Sequence, residues 1–108
     1  MELTDSMFEK EVLNSDMPVF VDFWASWCPA CKMMQGVISQ LSEEYGQKAR
    51  FFHLNIDRNP RAAELHQIKG VPTYIVFNEG KPVGRLTAAQ STNNLKKLVD
   101  SVLSDEKI

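Results

Sequence analysis

Cysteine is scarce in this chain: among its 108 residues there are only two, Cys28 and Cys31. So few cysteines exclude a small secreted scaffold held together by several disulfides. A chain of this length buries roughly 60–70% of its unfolded surface, which is enough for one core without such crosslinks. Uninterrupted apolar runs are also short, well below the roughly 18 residues that a membrane span needs. We therefore expect a single domain over residues 1–108 that has no membrane association.

An excess of positive charge is missing as well. The formal net charge is −2, from 12 basic and 14 acidic residues, so no basic field attracts nucleic acid. The opening segment MELTDSMFEKEV has neither the basic region nor the apolar region of a secretory signal. This composition predicts a cytoplasmic protein, although a mature chain from which a signal had been removed would have the same features.

Strand-like patterns occur in three places. Residues 17–26 and 49–57 are nearly continuous apolar runs, which are typical of strands covered on both faces of a sheet. Residues 73–89 predict a hairpin that turns at residues 78–80. Because strands and helices alternate before this hairpin, the sheet should contain both parallel and antiparallel pairs.

Apolar residues at helical spacing mark the remaining elements. Asp5 or Ser6 would cap the first helix, and Asn59 would cap the third, with Pro60 at its first position. The predicted helices are residues 5–13, 28–46, 59–68 and 91–108. The order α-β-α-β-α-β-β-α therefore predicts an α/β fold with a central mixed sheet flanked by helices.

Both cysteines lie in the motif Cys28-Pro29-Ala30-Cys31, where a buried strand leads into a helix. At the N-cap of that helix, Cys28 would face unpaired backbone N–H groups, which favour an anion together with the helix dipole. Since thiolate is the reactive form of cysteine, this position activates Cys28. Cys31, one turn further on, would then attack a mixed disulfide formed on Cys28. The motif predicts a nucleophile and a resolving thiol.

Two other uses of such a cysteine pair are weaker. A structural disulfide over so short a loop would contribute only about 2 kcal/mol and would not normally persist in a reducing compartment. A structural metal site needs about four ligands, and the two histidines, His53 and His66, lie on separate elements without ligand spacing. We therefore expect no metal.

The segments VFVDFWASWCPACKMM, LNIDRNP and GVPTYIVFNEGKPV, with the final amphipathic helix, resemble the thioredoxin family in order and spacing over essentially the whole chain. The resemblance implies the thioredoxin fold, with helices on both faces of the sheet, and a thiol–disulfide oxidoreductase. Cys28 would be the exposed nucleophile and Cys31 the buried resolving cysteine. The resemblance also implies a monomer without a cofactor, which takes electrons from a flavoprotein of the thioredoxin-reductase kind and passes them to disulfide-containing proteins.

The same resemblance assigns further residues to the site. Asp22 would be a buried carboxylate whose pKa is raised by burial, so that it accepts the proton of Cys31. Trp27 would be a partly exposed platform beside the nucleophile. Val71 would offer its backbone to an extended substrate, next to a cis peptide bond at Pro72. The residues that shape the site or bind substrate are Trp27, Pro29, Ala30, Lys32, Val71, Pro72 and Ala88.

Pro29-Ala30 departs from the family pattern, in which the dipeptide between the cysteines is Gly-Pro. Proline at the first helical position loses an N–H that needs no partner, whereas proline at the second position removes a donor near the sulfur. We therefore predict that Ala30 supplies an added donor, that Cys28 is more acidic than usual, and that the pair is less reducing than about −270 mV.

Three other positions depart from the pattern. Gly36 stands where the family usually carries a helix-kinking proline, and glycine permits a bend without imposing one. His53 stands where a lysine usually neighbours the buried acid, so we predict a coupled Asp22–His53 pair that makes activity more sensitive to pH. Ala88 replaces a glycine beside the substrate groove, and its methyl group would narrow the range of partners.

Two other functions stay open at this stage. The same chemistry could run toward oxidation or disulfide isomerisation, a possibility that the shifted proline favours. Alternatively, the fold could serve as a non-catalytic binding module in which the thiols are incidental.

Overall fold

The strands form where the predicted apolar runs lie. The computed structural model describes residues 1–106, with side chains as far as residue 103. The strands are β1 (Val19–Trp24), β2 (Arg50–Asn55), β3 (Thr73–Asn78) and β4 (Lys81–Thr87). Their order across the sheet is β2-β1-β3-β4, with β1 and β2 parallel and the other two neighbouring pairs antiparallel. The predicted mixed sheet and its hairpin are confirmed.

The helices follow the predicted order. They are α1 (Asp5–Phe8), which continues as a π-helical segment over Glu9–Leu13, α2 (Pro29–Tyr45), α3 (Pro60–Leu65) and α4 (Thr92–Glu106). Helix α2 runs through Gly36 as one element, so the glycine does not interrupt it. Residues 107–108 of the last predicted helix lie outside the described part of the chain.

Asn59 and Pro60 take the predicted N-cap and first positions of α3, but the side chains that cap the helices differ from those predicted. Asp5 is the first residue of α1, and its carboxylate caps α3 instead, because it accepts hydrogen bonds from the N–H groups of Arg61 (3.1 Å) and Ala62 (2.9 Å). Asn59 occupies the N-cap position of α3, but its side-chain oxygen accepts a hydrogen bond from the N–H of Asp5 (2.9 Å). Ser6 lies inside α1. This exchange of partners ties the first helix to the third.

Two apolar clusters lie on opposite faces of the sheet. The face covered by α1 and α3 buries Val19, Val21 and Phe23 of β1, and the face covered by α2 and α4 buries Phe20. The strand is therefore covered on both faces, as predicted. Asp22 is the polar position of β1 on the side of α2.

The N-terminus extends the sheet, which the sequence did not predict. Met1 and Leu3 run alongside β2, where the N–H of His53 donates to the carbonyl of Met1 (2.9 Å) and the N–H of Leu3 donates to the carbonyl of His53 (2.8 Å). The outer edge of β2 is thus paired at His53. None of the helices in the described chain is long and apolar enough to cross a membrane.

Candidate active site

Cys28 and Cys31 lie where the turn after β1 enters α2. Cys28 is the N-cap of this helix and Pro29 its first residue. The N–H of Cys31 donates to the sulfur of Cys28 (Sγ) at 3.1 Å, and the two cysteines are joined as a disulfide. The predicted cap is confirmed, because a backbone donor points at the sulfur that would carry negative charge after reduction.

Cys28 is not exposed in this state. Only 4% of the residue is accessible, compared with 2% of Cys31. The prediction that Cys28 is exposed is therefore wrong for the disulfide form, whereas the prediction that Cys31 is buried is confirmed. The physical reason is the loop before β3: the carbonyl oxygen of Val71 lies 3.7 Å from the sulfur of Cys28, and both cysteines pack in an apolar cluster with Ala25 and Ala30.

The donor expected from Ala30 is not engaged in this state. Among the described residues, the only N–H that donates to the sulfur of Cys28 is that of Cys31, at the third helical position. Ala30 occupies the second position, as predicted, but the S–S bond holds the sulfur of Cys28 against Cys31. The expected hydrogen bond from Ala30 is thus absent from the disulfide form.

The loop that covers Cys28 contains the predicted cis peptide bond, between Val71 and Pro72. The carbonyl of Pro72 accepts a hydrogen bond from the N–H of Ala88 (2.8 Å), and the hydroxyl of Thr73 donates to the carbonyl of Gly70 (2.7 Å). Ala88 is exposed and has a φ of 66°. Its left-handed backbone disfavours an L residue by about 1–2 kcal/mol, a strain that no sequence pattern revealed.

Trp27 is 63% exposed and next to Cys28 in the chain, so its predicted exposure is confirmed, whereas its role as a platform stays a prediction. Its indole N–H donates to a carboxylate oxygen of Asp57 at 2.8 Å, a partner that sequence reasoning missed. The side chain of Asn55 accepts hydrogen bonds from the backbone after β2, including the N–H of Asp57 (2.9 Å), and this local turn holds Asp57 in place. The sequence signal that could have indicated this turn is Asn55 followed two residues later by Asp57. Lys32 is exposed in the first turn of α2.

Asp22 lies behind the disulfide. It is 6% exposed and lines a cavity of about 400 Å³ together with Cys31 and His53. Its carboxylate oxygen Oδ1 forms no hydrogen bond with any described residue. Burial raises the pKa of Asp22 from 3.8 to about 7, because desolvation disfavours the charged form. The predicted buried acid is therefore present and can hold or release a proton near neutral pH.

His53 is the cross-strand neighbour of Asp22 on β2, and Tyr74 is its neighbour on β3. Burial lowers the pKa of His53, as does the positive charge of the N-terminal amino group, while Glu2 acts in the opposite direction. Burial raises the pKa of Tyr74, and the negative charge of Asp22 adds to the effect. The sheet thus brings His53 and Asp22 together, with no hydrogen bond between their side chains, and their coupling stays a prediction.

Across the described residues, no group of three or more His, Cys, Asp or Glu side chains is placed to hold a metal ion. The titratable groups of the site in the disulfide form are the carboxylate of Asp22, the imidazole of His53 and the phenol of Tyr74.

Comparison with known proteins agrees with the predicted resemblance. The family model described as Thioredoxin matches residues 1–101. The thioredoxin of Chlorobaculum thiosulfatiphilum is 42% identical over 99 residues, which are 92% of this chain and 92% of that protein. The thioredoxin of Rickettsia felis is 42% identical over 93 residues (86% and 89%), and thioredoxin 1 of Nostoc sp. is 36% identical over 102 residues (94% and 95%).

Proposed function

Because this chain belongs to the thioredoxin family and is a thiol–disulfide oxidoreductase, we propose that it reduces disulfide bonds in other proteins through Cys28 and Cys31. The observation that carries the proposal is the capped sulfur of Cys28, with the N–H of Cys31 directed at it and the buried acid Asp22 behind the pair. The dithiol form of Cys28 and Cys31 carries the two electrons and becomes the disulfide when it gives them up, so the proposed cycle uses no further cofactor.

The chemistry proceeds in two exchange steps. The thiolate of Cys28 attacks one sulfur of the substrate disulfide, which forms a mixed disulfide and releases the other substrate sulfur as a thiolate that takes up a proton. The thiol of Cys31 then gives its proton to Asp22 and attacks the sulfur of Cys28. The S–S bond of Cys28–Cys31 forms, the second substrate sulfur leaves and is protonated, and the substrate has gained two electrons and two protons.

Asp22 suits this role because its pKa of about 7 matches the pH at which the proton must be moved. Asp22 and Cys31 line the same cavity, so the proposed proton transfer takes place between two groups of one cavity. His53 lies at the same cavity and would modulate this transfer when it becomes protonated at lower pH.

Substrate binding would use the surface around Val71. An extended substrate segment would pair with the backbone of Val71, a short form of strand addition. Trp27, Pro72 and Ala88 would flank that segment with apolar surface, and Lys32 would lie at the side of α2. The methyl group of Ala88 narrows the range of segments that fit.

The order Pro29-Ala30 supports a pair that is less reducing than a typical thioredoxin. Reduction frees the sulfur of Cys28 from Cys31, and the N–H of Ala30 then adds a donor that proline at that position would lack. A charge-assisted hydrogen bond of about 1.5–3 kcal/mol corresponds to about one to two pKa units, or roughly 30–60 mV for a two-electron couple. Such a potential also keeps open a role in disulfide exchange or oxidation.

A redox titration against glutathione tests this proposal, with the double variant Pro29→Ala/Ala30→Pro as the matched control. We expect the unmodified pair to lie above about −270 mV and the exchanged dipeptide to lie roughly 30–60 mV lower. A value of −270 mV or below for the unmodified protein, or no change on exchange, would contradict the argument.

The partners and the setting follow from the same chemistry. A flavoprotein of the thioredoxin-reductase kind would regenerate the dithiol, so that the protein carries electrons from that reductase to its substrates. We propose that the protein is cytoplasmic and monomeric. Sedimentation at working concentration would check the monomeric state.

Reduction of the insulin disulfides is the direct assay of the proposed activity. The protein should catalyse the reduction with dithiothreitol as the electron donor, and Cys28→Ser should abolish that catalysis. Equal rates of insulin reduction by the unmodified protein and by Cys28→Ser would instead indicate a non-catalytic binding module.

A further inference from the structure

A second concave surface includes Val71 and shares no lining residue with the cavity of the buried acid. We call it the cationic groove. It has a volume of about 430 Å³ and is lined mainly by Lys69, Gly70, Val71, Arg85 and Ala88. Since Val71 also touches the sulfur of Cys28 at 3.7 Å, a polypeptide docked at Val71 continues directly into the groove.

The charge of the groove is one-sided. Lys69 and Arg85 are both exposed, neither forms an ion pair with a described residue, and no acidic side chain is among the lining residues. This local balance differs from that of the whole chain, in which acidic residues outnumber basic ones by 14 to 12. A pair of unpaired cations beside a binding loop favours a negatively charged ligand.

Arg85 is positioned for such a ligand. It lies on β4 opposite Ile75, and its guanidinium donates to the carbonyl of His66 at the end of α3. That hydrogen bond fixes the side chain over the groove and uses one of five N–H donors, so the others are free to bind a carboxylate.

Two backbone features keep the groove in its shape. Gln67 has a φ of 53° and Ala88 a φ of 66°, and both residues line the groove. Left-handed backbone at residues other than glycine is strained and persists only where the surrounding structure maintains it. Such residues are concentrated at functional sites. A Cβ added at Gly70 would meet no atom within 4 Å, so the groove is open at that position.

We propose that the cationic groove selects substrate polypeptides that carry an aspartate or glutamate within a few residues of the cysteine attacked by Cys28, with Lys69 and Arg85 binding that carboxylate. The proposal rests on the proposed function and adds a substrate class to it.

The test uses three synthetic peptides that share one intramolecular disulfide and differ at one flanking position, which is Glu, Gln or Lys. The measured quantity is the ratio of kcat/KM between peptides for one protein, because this ratio cancels any effect of a substitution on the nucleophile itself. We expect the Glu peptide to be preferred over the Gln peptide about two- to fivefold, with the Lys peptide reduced most slowly. The preference should shrink as sodium chloride is raised, since the charges are exposed.

Variants of the two cations complete the design. Lys69→Gln and Arg85→Gln should each lower the Glu-to-Gln ratio, and the double variant should bring it close to one. Arg85→Lys should restore part of the ratio, which separates the charge of Arg85 from its hydrogen bond to His66. The control is Lys48→Gln, an exposed cation just beyond the far end of α2, which should leave the ratio unchanged.

The outcomes are distinct. Equal reduction of the Glu and Gln peptides, or an unchanged ratio in the double variant, would overturn the assignment of the groove while leaving the oxidoreductase intact. Failure to reduce any of the peptides or insulin would instead contradict the proposed function.

Discussion

The buried carboxylate of Asp22 should make the stability of the oxidised protein depend on pH in a defined direction. Its pKa is about 7 in the folded protein, compared with 3.8 when exposed. Well below pH 3.8 the group is protonated in both the folded and unfolded states, so it has no differential effect. As the pH rises from there to about 7, the unfolded chain ionises while the folded protein must stay protonated, and the free energy of unfolding falls.

The magnitude follows from the shift. A rise of about three pKa units corresponds to a loss of about 4 kcal/mol once both states are ionised, at 1.36 kcal/mol for each unit. Between pH 5 and pH 8 the loss is about 3 kcal/mol. Asp22→Asn removes the titration, so the variant should gain about this much stability relative to the unmodified protein over that interval.

Urea denaturation at pH 5, 6, 7 and 8, followed by tryptophan fluorescence, measures the difference. The disulfide form is used because a disulfide-bonded Cys31 does not titrate. His53 titrates in both the unmodified protein and the variant, so its own contribution is common to the two. Any constant effect of the asparagine amide cancels when the difference is compared between pH values. Asp16→Asn, which removes an exposed carboxylate before β1, controls for the change in net charge.

A difference that stays flat from pH 5 to pH 8 would refute the reasoning. It would mean that Asp22 titrates near the ordinary range of an aspartate in the folded protein. The physical cause would be water in the adjoining cavity of about 400 Å³, which has room for several molecules and polar groups to hold them.

Three other substitutions test separate parts of the structure. Ala88→Gly should raise the free energy of unfolding by about 1 kcal/mol, because relief of the left-handed strain exceeds the added entropy of the unfolded chain; a lower urea midpoint would contradict this. Gly80→Ala should lower the free energy of unfolding by about 2–4 kcal/mol, because Gly80 has a φ of 78° and an added Cβ would lie 2.6 Å from the carbonyl oxygen of Leu13. A loss of stability below about 1 kcal/mol would be inconsistent with that contact. His53→Lys should move the pH–rate profile of insulin reduction to lower pH, because a fixed positive charge favours the ionised form of Asp22; an unchanged profile would show that the two positions are uncoupled.

Much of the architecture was predictable because it depends on local pattern. The continuous apolar run of β1 and the helical spacing of α2 determine where each element lies, and the junction between them determines that Cys28 caps a helix. The chemistry of the pair could therefore be inferred from a few consecutive residues. The roles of Asp22 and Pro72 required the resemblance to a family, since a lone polar residue in a strand or a lone X-Pro bond is ambiguous.

The features that were not predicted depend on contacts between distant segments. The carboxylate of Asp5 caps α3 because the fold places the first helix against the third, and sequence alone indicates only that both termini need partners. The hydrogen bond between Trp27 and Asp57 joins turns 30 residues apart. The left-handed backbone of Ala88 occurs together with its hydrogen bond to the carbonyl of Pro72, a contact between distant segments that no local propensity encodes.

The low exposure of Cys28 also depends on a contact between distant segments, and it affects how a thiolate reaches the disulfide. A thiolate that attacks Cys28 must approach along the S–S axis from the side opposite Cys31, and the loop at Val71 lies 3.7 Å from that sulfur. Only 4% of Cys28 is accessible. A small thiol such as dithiothreitol can therefore reduce the disulfide only through the little of Cys28 that it meets. If a substrate pairs with Val71 as proposed, it is held next to the sulfur of Cys28, so recognition of the loop would also bring the substrate to the disulfide.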